Sequence, residues 1–258
     1  MSRGLGDVYK RQHLISRNPS SNIVVKNDNL VSERVVMTDE QQMQFLNIAK
    51  HRYYNEVYQI LLSTGMRIGE LTALQWDDID FENKEIHIRH SMQSAYLNGK
   101  KILNMTTPKT SNSIRDIPMF DGVEKLFVFW KEKQDKAKKE LGRRWRLPKE
   151  FENLVFTSSL GSPLTRYVLS NDINKIVSIL NKNEEYLAEQ ENRVPKKFPK
   201  LHPHSFRHTF ATRCFEKNLK PVFIMSIMGH SNYETTLSYT HLLKKSNDQQ
   251  VSLAGSFV

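Results

Sequence analysis

Apolar residues in this chain never run unbroken for more than a handful of positions, Leu126–Trp130 being such a run, and elsewhere they recur three and four residues apart. Nothing of that length can span a bilayer, which takes about 20 consecutive apolar residues. The recurrence instead directs the chain toward helices that each bury one face against a shared core. With 258 residues there is enough chain for one large domain or two small ones. No charged-then-apolar leader opens the sequence, so secretion is not expected and a cytoplasmic setting is. The lone cysteine, Cys214, excludes an internal disulfide framework and a cysteine-rich zinc site.

The periodic segments can be placed one by one. Thr38 and Gln41 have the spacing of a capping box and precede an apolar pattern through Met43, Phe45, Leu46 and Ile48. Val57, Ile60, Leu61 and Leu62 continue a buried helix to a break at Thr64-Gly65, and a short helix follows from Arg67 to Leu74. The turn-rich Trp76–Asp80 stretch leads to a strand at Glu85–Arg89, where Ile86 and Ile88 alternate with polar residues. Residues 92 to 118 read as further short strands around Asn98-Gly99 and Pro108-Lys109-Thr110. Helices are then expected at Asp121–Leu141, around Ile173–Leu180, and from Pro203 to Asn218. Pro221 opens another at its first turn and Gly229 closes it. Ser231 and Glu234 form a second capping box, for a helix through Tyr239 and His241. The fold class is therefore mainly α with a small antiparallel β-sheet, α+β, the sheet inserted after the third helix.

The ends read differently. Residues 1 to 12 (MSRGLGDVYKRQ) lack apolar periodicity and resemble a translated adapter sequence or a disordered terminus. Residues 13 to 35 mix Asn, Ser and Pro with short β-branched pairs, the composition of a linker or of the trailing edge of an upstream domain. The tail, residues 246 to 258, is polar and then weakly apolar.

Charge narrows the class of partner. Lysine and arginine number 38 against 28 acids, a formal net charge of +10. Such an excess favours a polyanion, with nucleic acid the leading candidate. Lys131–Lys149 holds nine basic and three acidic residues and reads as a solvated helix face. Arg193–Lys220 holds eight basic residues, one acid and three histidines, and its basic residues alternate with prolines before entering an apolar-backed helix. Phosphate neutralisation with counterion release suits that second stripe.

The chemistry concentrates in four short motifs. On the helix that begins near Pro203, Phe206, Phe210 and Cys214 repeat every four residues and should face the core. His204, Arg207, His208 and Ala211 then fall on the opposite side. A guanidinium fork beside an imidazole can grip a phosphate and move a proton near it. Gly229-His230 and Tyr239 follow, and Arg67 stands earlier, behind the Gly65 turn. Taken together and in order, Arg67, His204-x-x-Arg207, Gly229-His230 and Tyr239 resemble the signature of the tyrosine recombinase, or phage integrase, family. LTALQWDDIDFENKEIHI is similar to the segment after that family's first arginine, and TPKTSNSIRDIPM to its lysine-bearing hairpin. The likeness covers residues 36 to 245, which it implies are a tyrosine-recombinase catalytic domain, most like those of integrases from conjugative transposons and temperate phages.

The resemblance implies a role for each position. Tyr239 attacks a scissile DNA phosphate, leaving a 3′-phosphotyrosine and a free 5′-hydroxyl. Arg67 and Arg207 stabilise the charge growing on the non-bridging oxygens. Lys109 protonates the leaving 5′-oxygen, His204 assists proton transfer at Tyr239, and His230 donates a hydrogen bond to the phosphate. Glu70, one turn after Arg67, orients an arginine. No metal or nucleotide cofactor is required. Double-stranded DNA is the implied substrate, and relatives assemble on it, with a tetramer in the active synapse and with accessory directionality or bending proteins. Residues 13 to 35 would then be a linker or the remnant of a missing core-binding domain.

Other readings stand beside this one. Tyr239 among Leu237, Leu242 and Leu243 could be a packing tyrosine, Arg67 could simply pair with Glu70 or Asp77, and Lys100 and Lys101 share hairpin positions with Lys109. His202, His204, His208, His230 and His241 could supply a metallohydrolase site, although no carboxylate accompanies them and the neighbouring arginine would repel a cation. A truncated fragment that binds DNA without cleaving it, and a topoisomerase that nicks and reseals without strand exchange, are the remaining alternatives. Cys214 and the three tryptophans read as packing residues.

Overall fold

The computed structural model describes residues 35–97, 100–107, 114–230 and 236. The first helix among the described residues, α1 (Asp39–Ala49), starts where the capping box predicts it: the Thr38 hydroxyl accepts from the Gln41 N–H at 3.1 Å, and the Gln41 side chain accepts from the Thr38 N–H at 3.0 Å. Phe45 and Ala49 carry its burial, whereas Met43, part of the expected apolar pattern, points to solvent. A turn at residues 50 to 54 separates α1 from α2 (Asn55–Thr64). Gly65 ends α2 with a left-handed φ of 62°, and a Cβ there would lie 2.3 Å from the Phe210 ring. Both the dihedral and the close approach demand glycine.

The short α3 (Ile68–Ala73) and a 3₁₀ turn at Trp76–Asp78 lead into the sheet. Strands β1 (Ile79–Asp80), β2 (Glu85–Ile88) and β5 (Arg115–Pro118) form one antiparallel sheet, in the order β1-β2-β5. Ile86 pairs with Ile117 in its register, so both point into the core. Strands β3 (Ser91–Leu97) and β4 (Lys100–Thr106) make a separate two-stranded hairpin. Among the described residues the expected single small sheet is therefore two sheets, one backed by the core and one hairpin whose β3 packs against α3 through Met92 and Ala73.

Among the described residues, the helices α4 (Asp121–Leu141), α5 (Arg166–Gln190), α6 (Pro203–Glu216) and α7 (Pro221–Met228) follow. Helix α4 has the limits that the sequence predicts, and its Trp130 is fully buried with its indole N–H on the Val155 carbonyl at 2.7 Å. Exposed lysines on its outer face match the expected solvated stripe. Phe45, Tyr58 and Phe206 bring α1, α2 and α6 together, with ring centroids 5.1 to 5.5 Å apart. Asp172 on α5 accepts from the Tyr58 hydroxyl at 2.6 Å and from the Arg52 guanidinium, which fastens the long helix to α2. Among the described residues no helix is long and apolar enough to cross a membrane.

One expectation about α6 needs correction. Phe206, Phe210 and Cys214 do face the core, and burial pushes the Cys214 thiol up to about 11. Arg207 and Ala211, however, are not on a solvent side: Arg207 is 1% exposed and Ala211 is fully buried. Helix α6 runs through the middle of the domain, so its faces are covered by α1, α2, α5 and α7 rather than split into a wet and a dry half. The 100° wheel identified who shares a face with whom, but could not tell a solvent face from a second packed one.

Candidate active site

The site is built around the end of α7. Helix α7 begins with Pro221 at its first turn, where the missing N–H costs nothing, and stops at Gly229, whose φ of 60° and ψ of 49° turn the chain back. A helix end exposes carbonyls that lack intrahelical donors and carries negative partial charge. Here consecutive carbonyls each receive a different arginine. Arg115 Nε donates to Ile227 O at 2.5 Å, Arg207 Nη2 to Met228 O at 2.6 Å, and Arg67 Nη2 to Gly229 O at 2.9 Å.

The two arginines expected at the site are held differently. Arg207 also donates from Nη1 to Gly65 O at 2.6 Å, so the break after α2 and the end of α7 grip one buried guanidinium. Arg67 is the N-cap of α3 and its side chain is 36% exposed, leaving it open to a ligand. Its Nη1 donates to Glu70 Oε1 at 2.8 Å and its backbone N–H to Glu70 Oε2 at 2.8 Å. Pairing with Glu70 is thus correct for Arg67, while Asp77 instead accepts from the Asn153 side chain at 2.7 Å.

Glu70 is 4% exposed, and burial by itself would raise its carboxyl. The hydrogen bonds and charge of Arg115, followed by the charge and backbone N–H of Arg67, outweigh that and hold it down at about 2. The carboxylate is therefore ionised throughout the physiological range.

His230 follows Gly229 directly. Its backbone N–H donates to Met225 O at 3.2 Å, the helix-end bond its position suggests, and its ring Nδ1 lies 2.8 Å from the hydroxyl of the fully buried Thr236. His204 sits one residue into α6, exposed, with its ring edge-on to His208 at 4.8 Å. It lines a cleft of about 520 Å³ together with Arg67, Thr72, Ser91, Thr165 and Arg166.

The structure brings Arg67, Arg207 and His230 together around the end of α7, and places His204 in the cleft that Arg67 lines. Lys109 and Tyr239 lie outside the described residues, as does the Ser231 to Glu234 capping box. The five-histidine metal grouping does not assemble among the described residues: the one cluster of three candidate ligands there is Glu85, His87 and Asp116, on β2 and β5. Arg89 Nη2 donates to the same Asp116 oxygen at 2.6 Å, which opposes a cation. Two contributors escape a motif search. Thr236 has no signal beyond its spacing from His230. Arg115 has one: in a strand whose residues alternate inward and outward, it takes the same inward face as Ile117.

Comparison with known proteins agrees with this geometry. Residues 36–246 match the family described as Phage integrase family. The chain is 27% identical over 230 residues to a tyrosine recombinase XerC-like protein of Caldanaerobacter subterraneus subsp. tengcongensis, covering 87% of this chain and 54% of that one. It is 31% identical over 214 residues to the transposase from transposon Tn916 of Enterococcus faecalis, covering 80% of this chain and 47% of that one. Among solved structures, the Tn1549 transposon integrase in complex with circular intermediate DNA superposes with a TM-score of 0.69 at 28% identity, over 92% of this chain and 73% of that one. The chain spans about half the length of the curated relatives it matches.

Proposed function

The chain belongs to the phage integrase family, and from that premise we propose that it is a site-specific recombinase that cuts and rejoins double-stranded DNA through a 3′-phosphotyrosyl intermediate, integrating or excising a mobile element. The observation that carries the reading is the arginine pair seated on successive carbonyls at the end of α7, with His230 beside it. Two guanidiniums fixed by backbone acceptors are prepaid positioning for a phosphate whose charge grows as it becomes pentacoordinate. The Tn1549 integrase complex with DNA supports the choice of substrate.

Residues 36 to 245 act as the catalytic domain on this reading. The Tyr239 hydroxyl attacks phosphorus and its proton passes to His204. The phosphorus–O5′ bond breaks, and the departing oxygen takes a proton from Lys109. The Thr236 hydroxyl lies 2.8 Å from His230 Nδ1; on this reading it donates to that nitrogen, so that Nε2 carries the proton given to the phosphate. Attack by a 5′-hydroxyl on the phosphotyrosine reverses the step and rejoins the strand. Arginines carry the charge, so the chemistry needs neither metal nor nucleotide. Protomers exchange strands by assembling on DNA in the cytoplasm, as a tetramer in the synapse, with accessory bending or directionality proteins setting the outcome.

The test is a nicked suicide duplex carrying the element's own attachment site, incubated with the chain in EDTA and resolved on a denaturing gel. A covalent protein–DNA band that vanishes in Tyr239→Phe is the expected result. A band that survives in Tyr239→Phe, or that requires a divalent metal, would overturn the assignment. Salt-sensitive binding without any band would favour the non-cleaving fragment.

A further inference from the structure

Strand β5 opens on Arg115, six residues after Lys109 in the sequence. Arg115 and Ile117 alternate with the exposed Asp116 and Pro118, so a guanidinium occupies a position that the pleat buries; only 9% of the residue is exposed. A buried charge is tolerated only when it is fully engaged. Arg115 meets Glu70 as a bidentate fork, Nη1 to Oε1 at 3.0 Å and Nη2 to Oε2 at 2.8 Å. Each Glu70 oxygen also accepts a donor from Arg67, so one carboxylate is shared between a buried arginine and a half-open one. A third Arg115 donor, Nε–H, holds Ile227 O, next to the carbonyls that seat Arg207 and Arg67.

We propose that Arg115 is a positioning residue for DNA cleavage: it fixes Glu70, and through Glu70 the guanidinium of Arg67, while tying β5 to the end of α7. The inference rests on the recombinase reading given above. Its physical content is one carboxylate shared by two arginines, held in place by the buried one. With Arg115 in place, Glu70 is already neutralised and aligned, and Arg67 keeps part of its donor set for a phosphate. Without it, Glu70 loses the partner that aligns it, and the Arg67 guanidinium paired with that carboxylate loosens from its place at the cleft. Because β5 also follows the segment bearing Lys109, the same residue links the strand leaving the general acid to the charge-stabilising pair.

The experiment uses the full chain with Arg115→Met, Arg115→Lys, Glu70→Gln and the Arg115→Met/Glu70→Gln double variant. One readout is the order of the Arg67 side-chain Nε–H by ¹⁵N relaxation, its resonance assigned by its loss in Arg67→Lys. The other is single-turnover cleavage of the suicide duplex, with duplex affinity measured separately. Arg115→Met should loosen the Arg67 Nε–H and slow cleavage about 10- to 100-fold while affinity changes little. Arg115→Lys should recover part of both losses, and in the Glu70→Gln background Arg115→Met should cost far less than in the unaltered chain. An unchanged Arg67 signal, an unchanged cleavage rate, or an equal cost in both backgrounds would overturn the proposal. If Arg115→Met fails to fold, Arg115→Lys decides alone, since it keeps the charge but loses the fork and must still loosen Arg67. Failure of the unaltered chain to cleave would refute the recombinase reading, and the relaxation data would then decide the Arg115 link by themselves.

Discussion

Glu70→Gln, followed as a function of pH, tests the electrostatics of the site quantitatively. A carboxyl held at about 2 instead of its ordinary 4.5 binds its proton less readily in the folded chain than in the unfolded one. At about 1.4 kcal/mol per decade, the difference contributes ~3 kcal/mol of folding stability. The sign follows from linkage: the folded value is depressed, so the contribution is complete above the unfolded value of 4.5 and is lost as pH falls from there toward 2. Urea unfolding of the unaltered chain and of Glu70→Gln, at matched ionic strength between pH 7 and pH 2, isolates it. Glu184 is likewise held at about 2, by its hydrogen bonds to Arg193 and to the Lys196 backbone, but it titrates alike in both proteins and cancels. The unaltered chain should be more stable by ~3 kcal/mol at pH 7, a gap that narrows below pH 4.5 and nearly closes at pH 2. A gap independent of pH would mean that Glu70 does not hold the two arginines as ionised carboxylate, and the reasoning would fail.

Other consequences are open to simple assays. Gly65→Ala forces a left-handed dihedral on a residue with a Cβ and drives that carbon to 2.3 Å from the Phe210 ring. It should cost about 2–5 kcal/mol, seen as a fall in Tm of about 5–15 °C; an unchanged melt would show that the break after α2 is far more yielding than described. Arg166 lines the same cleft as Arg67 and His204 and projects into solvent. Arg166→Ala should reduce the log–log salt slope of duplex binding by about 1, and an identical slope would place the DNA path elsewhere.

Much of the fold was readable in the sequence because its helices are punctuated in chemically explicit ways. Thr38 with Gln41, Pro221 and Gly229 act through local backbone geometry, and each marks an element end in the structure. The interrupted helix around residues 50 to 54 was less readable, since no glycine or proline stands there to announce the turn. The motif arginines were visible as residues but not as a geometry. What places Arg207 is a pair of carbonyls from Gly65 and Met228, and main-chain acceptors have no residue type to search for. For the same reason Arg207 was expected on a solvent face, although it is buried. Arg115 had a signal that was easy to pass over: it shares the inward parity of Ile117, but a charge in a strand is read as a surface position until the register shows that face to be buried.

The central claim is that Arg67 and Arg207 stabilise a phosphate that is being cleaved rather than merely bound. Arg67→Ala measures this most directly, because the side chain is 36% exposed and its loss leaves the buried Arg207 and Arg115 contacts to the helix end in place. Duplex affinity and single-turnover cleavage of the suicide substrate, both recorded with excess protein, separate ground-state binding from transition-state stabilisation. The account predicts cleavage slower by about 10²–10³-fold with affinity nearly unchanged. Cleavage at the unaltered rate, or a loss that lies entirely in affinity, would contradict it.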